Sequence, residues 1–145
     1  MFPPETDAKG VNWRALKAVG GPRQAAAVDL LKALGGTQCV AYARTWVRCE
    51  QDQAAELELG SDDGAKVWLN GKEVFALNTA RALRPGSDKA NVQLHKGWNS
   101  VLFKVTQNNQ GWGFSARLRN PDGSPIPGLQ CESAPKLDAA APEAR

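Results

Sequence analysis

The 145-residue sequence is poor in the residue types that metal binding and catalysis most often use. It has one histidine, His95, and three cysteines, Cys39, Cys49 and Cys131, with no CxxC pair among them. Neither a zinc site nor a dense disulfide framework is supported by this composition. The thiols leave two interpretations open: all three are small buried side chains, or two form a bridge and one is left over.

Long apolar runs and charge of one sign are also missing. No segment approaches the ~20 apolar residues of a membrane helix, and the N-terminal stretch "MFPPETDAKG" lacks the basic-then-apolar pattern of a secretory signal. The net charge of +3 is spread along the chain rather than gathered in a basic block. We therefore expect neither a membrane nor a nucleic acid as partner.

Turn residues and apolar periodicity divide the chain into three parts. Residues 1–23 are rich in Pro and Gly and predict an extended lead-in that Trp13 anchors. Residues 24–130 predict the folded domain, and residues 131–145 predict a flexible tail because they lack apolar periodicity. Near the start of the domain, "QAAAVDLLKAL" predicts one short helix near residues 24–34, with Ala27, Leu30, Leu31 and Leu34 on one side and Gly35-Gly36 as its stop.

Short alternating runs from residue 39 onward predict an all-β domain of antiparallel strands stacked as a sandwich. Because successive side chains of a strand point to opposite faces, the pattern assigns the following residues to the core: Leu57, Leu59, Val67, Leu69, Val92, Leu94, Val101, Phe103, Val105, Phe114, Ala116 and Leu118.

Two tryptophans fall on the opposite, polar face of their strands. They are Trp46, between Arg44 and Arg48, and Trp68, between Lys66 and Asn70 in the same alternation. An indole has a large apolar area, so an outward ring normally has something packed on it. Either the lead-in and the helix cover these two rings, or a ligand does.

The stretch "SDDGAK", residues 61–66, places Asp62 and Asp63 side by side. Turn chemistry alone explains Asp and Gly at the tip of a hairpin. Adjacent carboxylates also suit Ca²⁺, which takes about six to eight oxygen ligands. Both interpretations are open.

The loop "TQNNQGWG", residues 106–113, combines Asn108, Asn109 and Gln110 with Trp112. Amides beside an exposed ring suit sugar recognition, in which the ring stacks on a pyranose and the amides bond its hydroxyls. In the alternative interpretation the loop is polar and Trp112 turns inward with Phe114. His95 lies at a hairpin end with no sequence signal of a nucleophile beside it, so we expect a protein that is not an enzyme.

The stretches "AYARTWV", "LELGSDDGAKVWLNGKEVF" and "LHKGWNSVLFKVTQNNQGWGFSARL" together resemble a galactose-binding-like β-sandwich over roughly residues 39–119. The resemblance implies a jelly roll that binds a polysaccharide or oligosaccharide without transforming it, as an accessory module of a secreted or periplasmic bacterial protein. Stacking would come from Trp46, Trp68 or Trp112, and polar contacts from Arg81, Arg84, Asn108, Asn109 and Gln110. A structural or protein-interaction domain without a small ligand is the alternative, and a small hydrolase is the third hypothesis.

The hairpin "SDDG…WLNG" is also similar to one in protective-antigen-type domains of adhesins and glycosidases. In calcium-dependent members of that group, adjacent aspartates hold the cation, which implies Ca²⁺ at Asp62 and Asp63. Related domains begin with a further strand upstream. The resemblance therefore implies that the sheet is completed by residues of the chain's own tail or by pairing with a neighbouring molecule.

Overall fold

The computed structural model describes residue 13, residues 26–108 and residues 111–132. Apart from Trp13, the predicted lead-in lies outside the described residues, as does the tail after Glu132. Over these residues the all-β prediction is confirmed, and one short helix is present. The elements are β1 (Ala26–Asp29), α1 (Leu30–Leu34), β2 (Val40–Cys49), β3 (Gln53–Ser61), β4 (Ala65–Leu69), β5 (Lys72–Leu77), β6 (Asp88–Leu94), β7 (Gly97–Thr106), β8 (Gly113–Arg119) and β9 (Gln130–Glu132).

The strands form two antiparallel sheets, one in the order β1-β8-β3-β6 and one in the order β5-β4-β7-β2-β9. Side chains from both sheets fill one core in a sandwich-like arrangement. The ring of Phe103, from β7, stacks on Phe114, from β8, with centroids 4.9 Å apart. Of the predicted core, Ala116 and Leu118 are partly buried, and all the other predicted residues are fully buried.

The predicted helix near residues 24–34 is wrong in its first half. Residues 26–29 form β1, which pairs with β8 in the register Ala26↔Ala116. The helix begins only after Asp29, whose carboxylate accepts a hydrogen bond from the Lys32 N–H at 2.9 Å and caps it. Strand pairing satisfies the backbone here in place of helical bonds, which explains why local propensity did not decide the outcome.

The predicted apolar side of this helix is also wrong in part. Leu30 is 2% exposed, whereas Leu31 and Leu34 are 42% and 54% exposed. Five helical residues present too short a face for three leucines to reach the core together. The predicted stop is confirmed at Gly35, which has φ 70° and donates its N–H to the carbonyl of Leu31.

The tail completes the five-stranded sheet at one edge. Strand β9 pairs antiparallel with β2, in the register Val47↔Cys131. Cys131 and Glu132, which the sequence assigned to the flexible tail, therefore belong to this strand. Pairing of an edge with a neighbouring chain stays a prediction.

The three cysteines are all free thiols, so the structure excludes the bridged interpretation. Their environments differ: Cys49 is buried, Cys39 is half-buried and Cys131 is exposed. The interpretation in which all three are buried is therefore correct for Cys49 alone.

Glu58 is a buried exception on the outer face of the four-stranded sheet. Alternation points it away from the core, yet it is only 6% exposed. Arg117 donates to its Oε2 at 2.6 Å, and Arg119 and Lys89 place cations 3.6 and 3.9 Å from its Oε1. The carboxylate is buried under cations that compensate for its desolvation.

The long β5–β6 loop, residues 78–87, crosses the outer face of the four-stranded sheet at Gly60. A Cβ at Gly60 would overlap the backbone carbonyl of Arg84 and approach Leu83 Cδ1 to 3.3 Å. The absence of a side chain at this position therefore lets the loop lie directly on β3, which brings Arg81 to the end of the β3–β4 hairpin. Among the described residues, no helix has the length and apolar character needed to cross a membrane.

Candidate functional site

Three loops meet at one end of the two sheets: the β3–β4 turn at residues 62–64, the β5–β6 loop, and the β7–β8 loop, of which residues 107–108 and 111–112 are described. Between them lies a cavity of about 340 Å³, which we call the loop-end hollow. Its lining combines charged, amide and apolar groups: Asp62, Asp63, Ala80, Arg81, Ala82, Asn108 and Gly111. The structure thus brings together four residues that the sequence named as candidates from three separate segments.

Asp63 holds the three loops in place. It is 7% exposed, and its Oδ1 accepts from the Arg81 N–H at 3.2 Å while its Oδ2 accepts from the Asn108 N–H at 2.7 Å. Its own N–H donates to the carbonyl of Arg81 at 2.9 Å. Its φ of 66° lies in the left-handed region, which Asp tolerates better than most residues do. Asp63 is therefore a positioning residue that fastens two loops to the hairpin.

Asp62 has a different environment. Its N–H donates to the carbonyl of Gly113 at 2.8 Å, while its half-buried carboxylate lines the hollow and receives no hydrogen bond from the described residues. Burial and the adjacent charge of Asp63 raise the pKa of Asp62 above its ordinary value of 3.8. The ionised carboxylate is thus under-compensated, and a ligand that donates hydrogen bonds or carries positive charge would stabilise it.

The guanidinium of Arg81 is largely occupied by the protein itself. Its Nε donates to the carbonyl of Ser61 at 3.1 Å and its Nη2 to Ser61 Oγ at 3.0 Å. It also forms a two-bond ion pair with Asp88, in which Nη1 lies 3.1 Å from Oδ1 and Nη2 bonds Oδ2. Arg81 therefore gives the wall of the hollow its shape, and Asp88 compensates its charge.

Of the other residues predicted to make polar contacts, one lines the hollow and one does not. Asn108 is exposed and lines the hollow. Arg84 is exposed but is not among the lining residues. Asn109 and Gln110 lie outside the described residues. The β7–β8 loop comes so close to the hairpin at Gly111 that a Cβ there would lie 2.6 Å from Asp62 Oδ2.

Trp112 is not available for stacking, which corrects the prediction that its ring contacts a sugar. Its indole is 4% exposed, and its Nε1 donates to the carbonyl of Val105 at 3.2 Å. Burying the ring in the core gains apolar contact while its one polar group keeps a partner. The inward alternative is the one that the structure shows.

Trp46 and Trp68 lie on another surface, the outer face of the five-stranded sheet. Both rings are half-buried, and the register places Trp46 opposite Ser100 and Trp68 opposite Leu102. Alternation along β7 adds Trp98 to this face, a residue that the sequence analysis did not select. The structure therefore does not bring these indoles to the loop-end hollow.

The protein's own cations pack on aromatic rings of this outer face. The Nζ of Lys66 lies 5.6 Å from the Trp68 ring centroid, and the Cζ of Arg44 lies 4.5 Å from that of Trp13. Trp13 belongs to the predicted lead-in. Because it contacts Arg44, it lies on the same face as Trp46. The Arg44–Trp13 contact supports the interpretation in which the lead-in covers part of this face. The indoles of Trp46 and Trp68 nevertheless stay partly exposed.

The donor set does not fit a complete calcium site. Asp63 uses both carboxylate oxygens to accept backbone N–H groups, which leaves Asp62 as the acidic ligand of the pair with an open carboxylate. Over residue 13, residues 26–108 and residues 111–132, no group of three or more His, Cys, Asp and Glu side chains is arranged to hold a metal. One open carboxylate is a small share of the about six to eight oxygens that Ca²⁺ takes.

Comparison of the chain with protein-family models, with curated proteins and with solved structures finds no match in any of the three. The function of the protein is therefore inferred from the geometry of these residues.

Proposed function

We propose that the protein is a non-catalytic carbohydrate-binding domain that holds a short stretch of glycan in the loop-end hollow. The galactose-binding-like jelly roll, and a place as an accessory module of an exported polysaccharide-active protein, belong to the same proposal. The observation that carries it is the meeting of three loops around a cavity with an open carboxylate.

The lining suits a sugar in both its polar and its apolar parts. The Asp62 carboxylate and the Asn108 amide are planar groups that bond vicinal hydroxyls, and the methyl groups of Ala80 and Ala82 offer apolar surface to ring C–H groups. About 340 Å³ lies at the small end of the roughly 300–1,000 Å³ range of ligand pockets. The hollow therefore has room for one or two sugar units.

Binding at such a site is weak. Each net hydrogen bond contributes about 1 kcal/mol because the hydroxyls are already bonded to water. A few of them give an affinity on the order of 1 mM, which corresponds to about −4 kcal/mol. Tight binding to a polymer would come from several modules acting together rather than from this hollow alone.

A panel of neutral, acidic and amino-bearing oligosaccharides, titrated by calorimetry and by tryptophan fluorescence, tests the proposal. Trp112 follows the lining residue Gly111 in the sequence, so we expect its fluorescence to respond to binding. We expect binding that Gly111→Ala abolishes, since the new Cβ would displace the Asp62 carboxylate. We also expect a calcium chelator to leave the affinity unchanged.

Substitutions on the outer face distinguish the two surfaces. Trp46→Ala and Trp68→Ala should leave binding at the hollow intact, with unfolding curves measured in parallel. Binding that disappears in these variants but survives in Gly111→Ala would move the site to the sheet face. No binding to any glycan in the panel would contradict the proposal.

The second candidate is a structural or protein-interaction domain without a small ligand. It is favoured by two contacts on the outer face: Lys66 packs on Trp68, a ring predicted to stack on a sugar, and Arg44 packs on Trp13 of the lead-in. For such a domain, Trp68→Ala would lower stability and no glycan would bind.

A further inference from the structure

The charges around the loop-end hollow do not balance. The carboxylates of Asp62 and Asp63 and the guanidinium of Arg81 line it, and Arg81 is already paired with Asp88. These three carboxylates and one guanidinium leave an excess of negative charge. The protein as a whole has a net charge of +3, so the hollow has the opposite sign to that of the whole chain.

The excess is concentrated on one group. Asp63 accepts two backbone N–H groups and Asp88 accepts two guanidinium bonds, whereas the Asp62 carboxylate has no hydrogen-bond donor among the described residues. Its pKa is raised by burial and by Asp63, which means that the charged form lacks a compensating cation. A ligand that brings a positive charge to Asp62 would supply this missing partner.

An organic ammonium fits the hollow better than a metal ion does. Ca²⁺ would require about six to eight oxygens, whereas an ammonium group needs a carboxylate and one or two further acceptors for its three N–H donors. Asp62 supplies the carboxylate and Asn108 an amide oxygen from the facing loop. The remaining lining, from Ala80 and Ala82, suits the carbon skeleton of a sugar ring.

We infer that the ligand of the loop-end hollow is a basic glycan, one whose sugar units carry a free amino group that pairs with Asp62. This inference rests on the proposed function and adds the class of sugar. Acidic glycans, which carry carboxylate or sulfate groups, would meet the same negative charge and be rejected.

Four oligosaccharides of equal length test it: oligomers of glucosamine, N-acetylglucosamine, glucose and galacturonate. They are titrated at about pH 6, where the amino groups of the glucosamine oligomer are mostly protonated and the galacturonate carboxylates are ionised. The glucosamine oligomer should bind at least about tenfold more tightly than its N-acetylated counterpart, since charge-assisted bonds are roughly twice as strong as neutral ones. The galacturonate oligomer should bind most weakly.

Asp62→Asn removes the charge but keeps the shape of the side chain. This variant should bind the glucosamine and N-acetylglucosamine oligomers with equal affinity. The matched control is Glu73→Gln, which removes an exposed carboxylate on β5, on the other sheet. Glu73→Gln should keep the full preference for the glucosamine oligomer over the N-acetylglucosamine oligomer. Urea unfolding of both variants establishes that each is folded.

The outcomes separate the inference from the function on which it rests. Equal affinity of the wild-type protein for the glucosamine, N-acetylglucosamine and glucose oligomers would overturn the inference and leave the binding function standing. A preference for the amine that persists in Asp62→Asn, or that disappears in Glu73→Gln, would overturn it as well. If the galacturonate oligomer binds more tightly than the glucosamine oligomer, the inference is overturned. The net charge of +3, and not the charge of the hollow, would then determine which glycan binds. If none of the four binds, the proposed function fails together with the inference.

Discussion

The Oδ2 of Asp63 accepts a hydrogen bond from the backbone N–H of Asn108 at 2.7 Å, across 45 residues of sequence. Replacing Asp63 by Ala leaves this N–H and that of Arg81 without their acceptor at a partly buried site. We expect a loss of roughly 2–4 kcal/mol in the free energy of unfolding, because each of these two partly buried groups falls in the lower part of the range of about 1–3 kcal/mol for an unpaired group. Urea unfolding measures it. The neighbouring change Asp62→Ala is the control and should cost less than about 0.5 kcal/mol; equal losses would contradict the division of roles between the two aspartates.

The raised pKa of Asp62 predicts how the stability of the protein depends on pH. Because burial and Asp63 raise this pKa above 3.8 in the folded protein, the folded state binds the proton more tightly than the unfolded state does. The stabilisation that protonated Asp62 gives to the folded state is therefore fully present below the unfolded pKa of 3.8. It is lost as the pH rises through the higher pKa of the folded state. Comparing urea midpoints of the wild-type protein and Asp62→Asn from about pH 3 to about pH 7 isolates this contribution. As the pH rises, the urea midpoint of Asp62→Asn should increase relative to that of the wild-type protein. A relative decrease would mean that the ionised Asp62 carboxylate is well compensated in the folded state.

Two tryptophans should respond differently to truncation. Trp112→Ala opens a cavity in the core and leaves the Val105 carbonyl without its donor, so we expect a loss of about 3–5 kcal/mol. Trp68→Ala removes a half-buried ring on the sheet surface and should cost on the order of 1 kcal/mol. Thermal unfolding followed by circular dichroism checks both. A greater loss in Trp68→Ala would show that the outer face is packed more firmly than the core beneath the hollow.

The thiols should react with iodoacetamide in the order Cys131, Cys39, Cys49. Cys131 is exposed on the edge strand β9, whereas Cys49 is buried and its Sγ lies 2.8 Å from the carbonyl oxygen of His95. Burial raises the pKa of Cys49, which lowers the thiolate fraction that attacks the reagent. Mass spectrometry of peptides from timed samples gives the order. Early labelling of Cys49 in the folded protein would contradict the packing around it.

Alternation predicts most of the core because one face of every central strand is apolar, as at Leu57 and Leu59. It fails where a partner decides the outcome: Ala26 to Asp29 pair with β8 instead of turning helically, and Glu58 is buried because cations from β8 and β6 surround it. A single sequence does not reveal which distant residues supply such partners.

The residues of the hollow were found by their chemistry rather than by their position. Asp62 and Asp63 stood out by their turn chemistry and Asn108 by the amides of its loop, whereas Arg81 was expected only as a polar contact that the resemblance implies. The strand order brought the four together. The separate roles of the two aspartates were not predictable from the sequence, because they depend on which oxygen atoms meet the N–H groups of two other loops. The direction of the Trp112 ring depended on whether the core had room for it, which no local pattern reports.

Strand β9 joins the rest of the protein through three residue pairs with β2, whereas β2 and β7 share ten. A pulling force applied through the chain beyond Glu132 would therefore fall first on the shortest ladder of the five-stranded sheet. Detachment of β9 would bare the β2 backbone around Val47 while the long β2–β7 ladder held. Under tension, the sheet would open from this edge before its centre gave way.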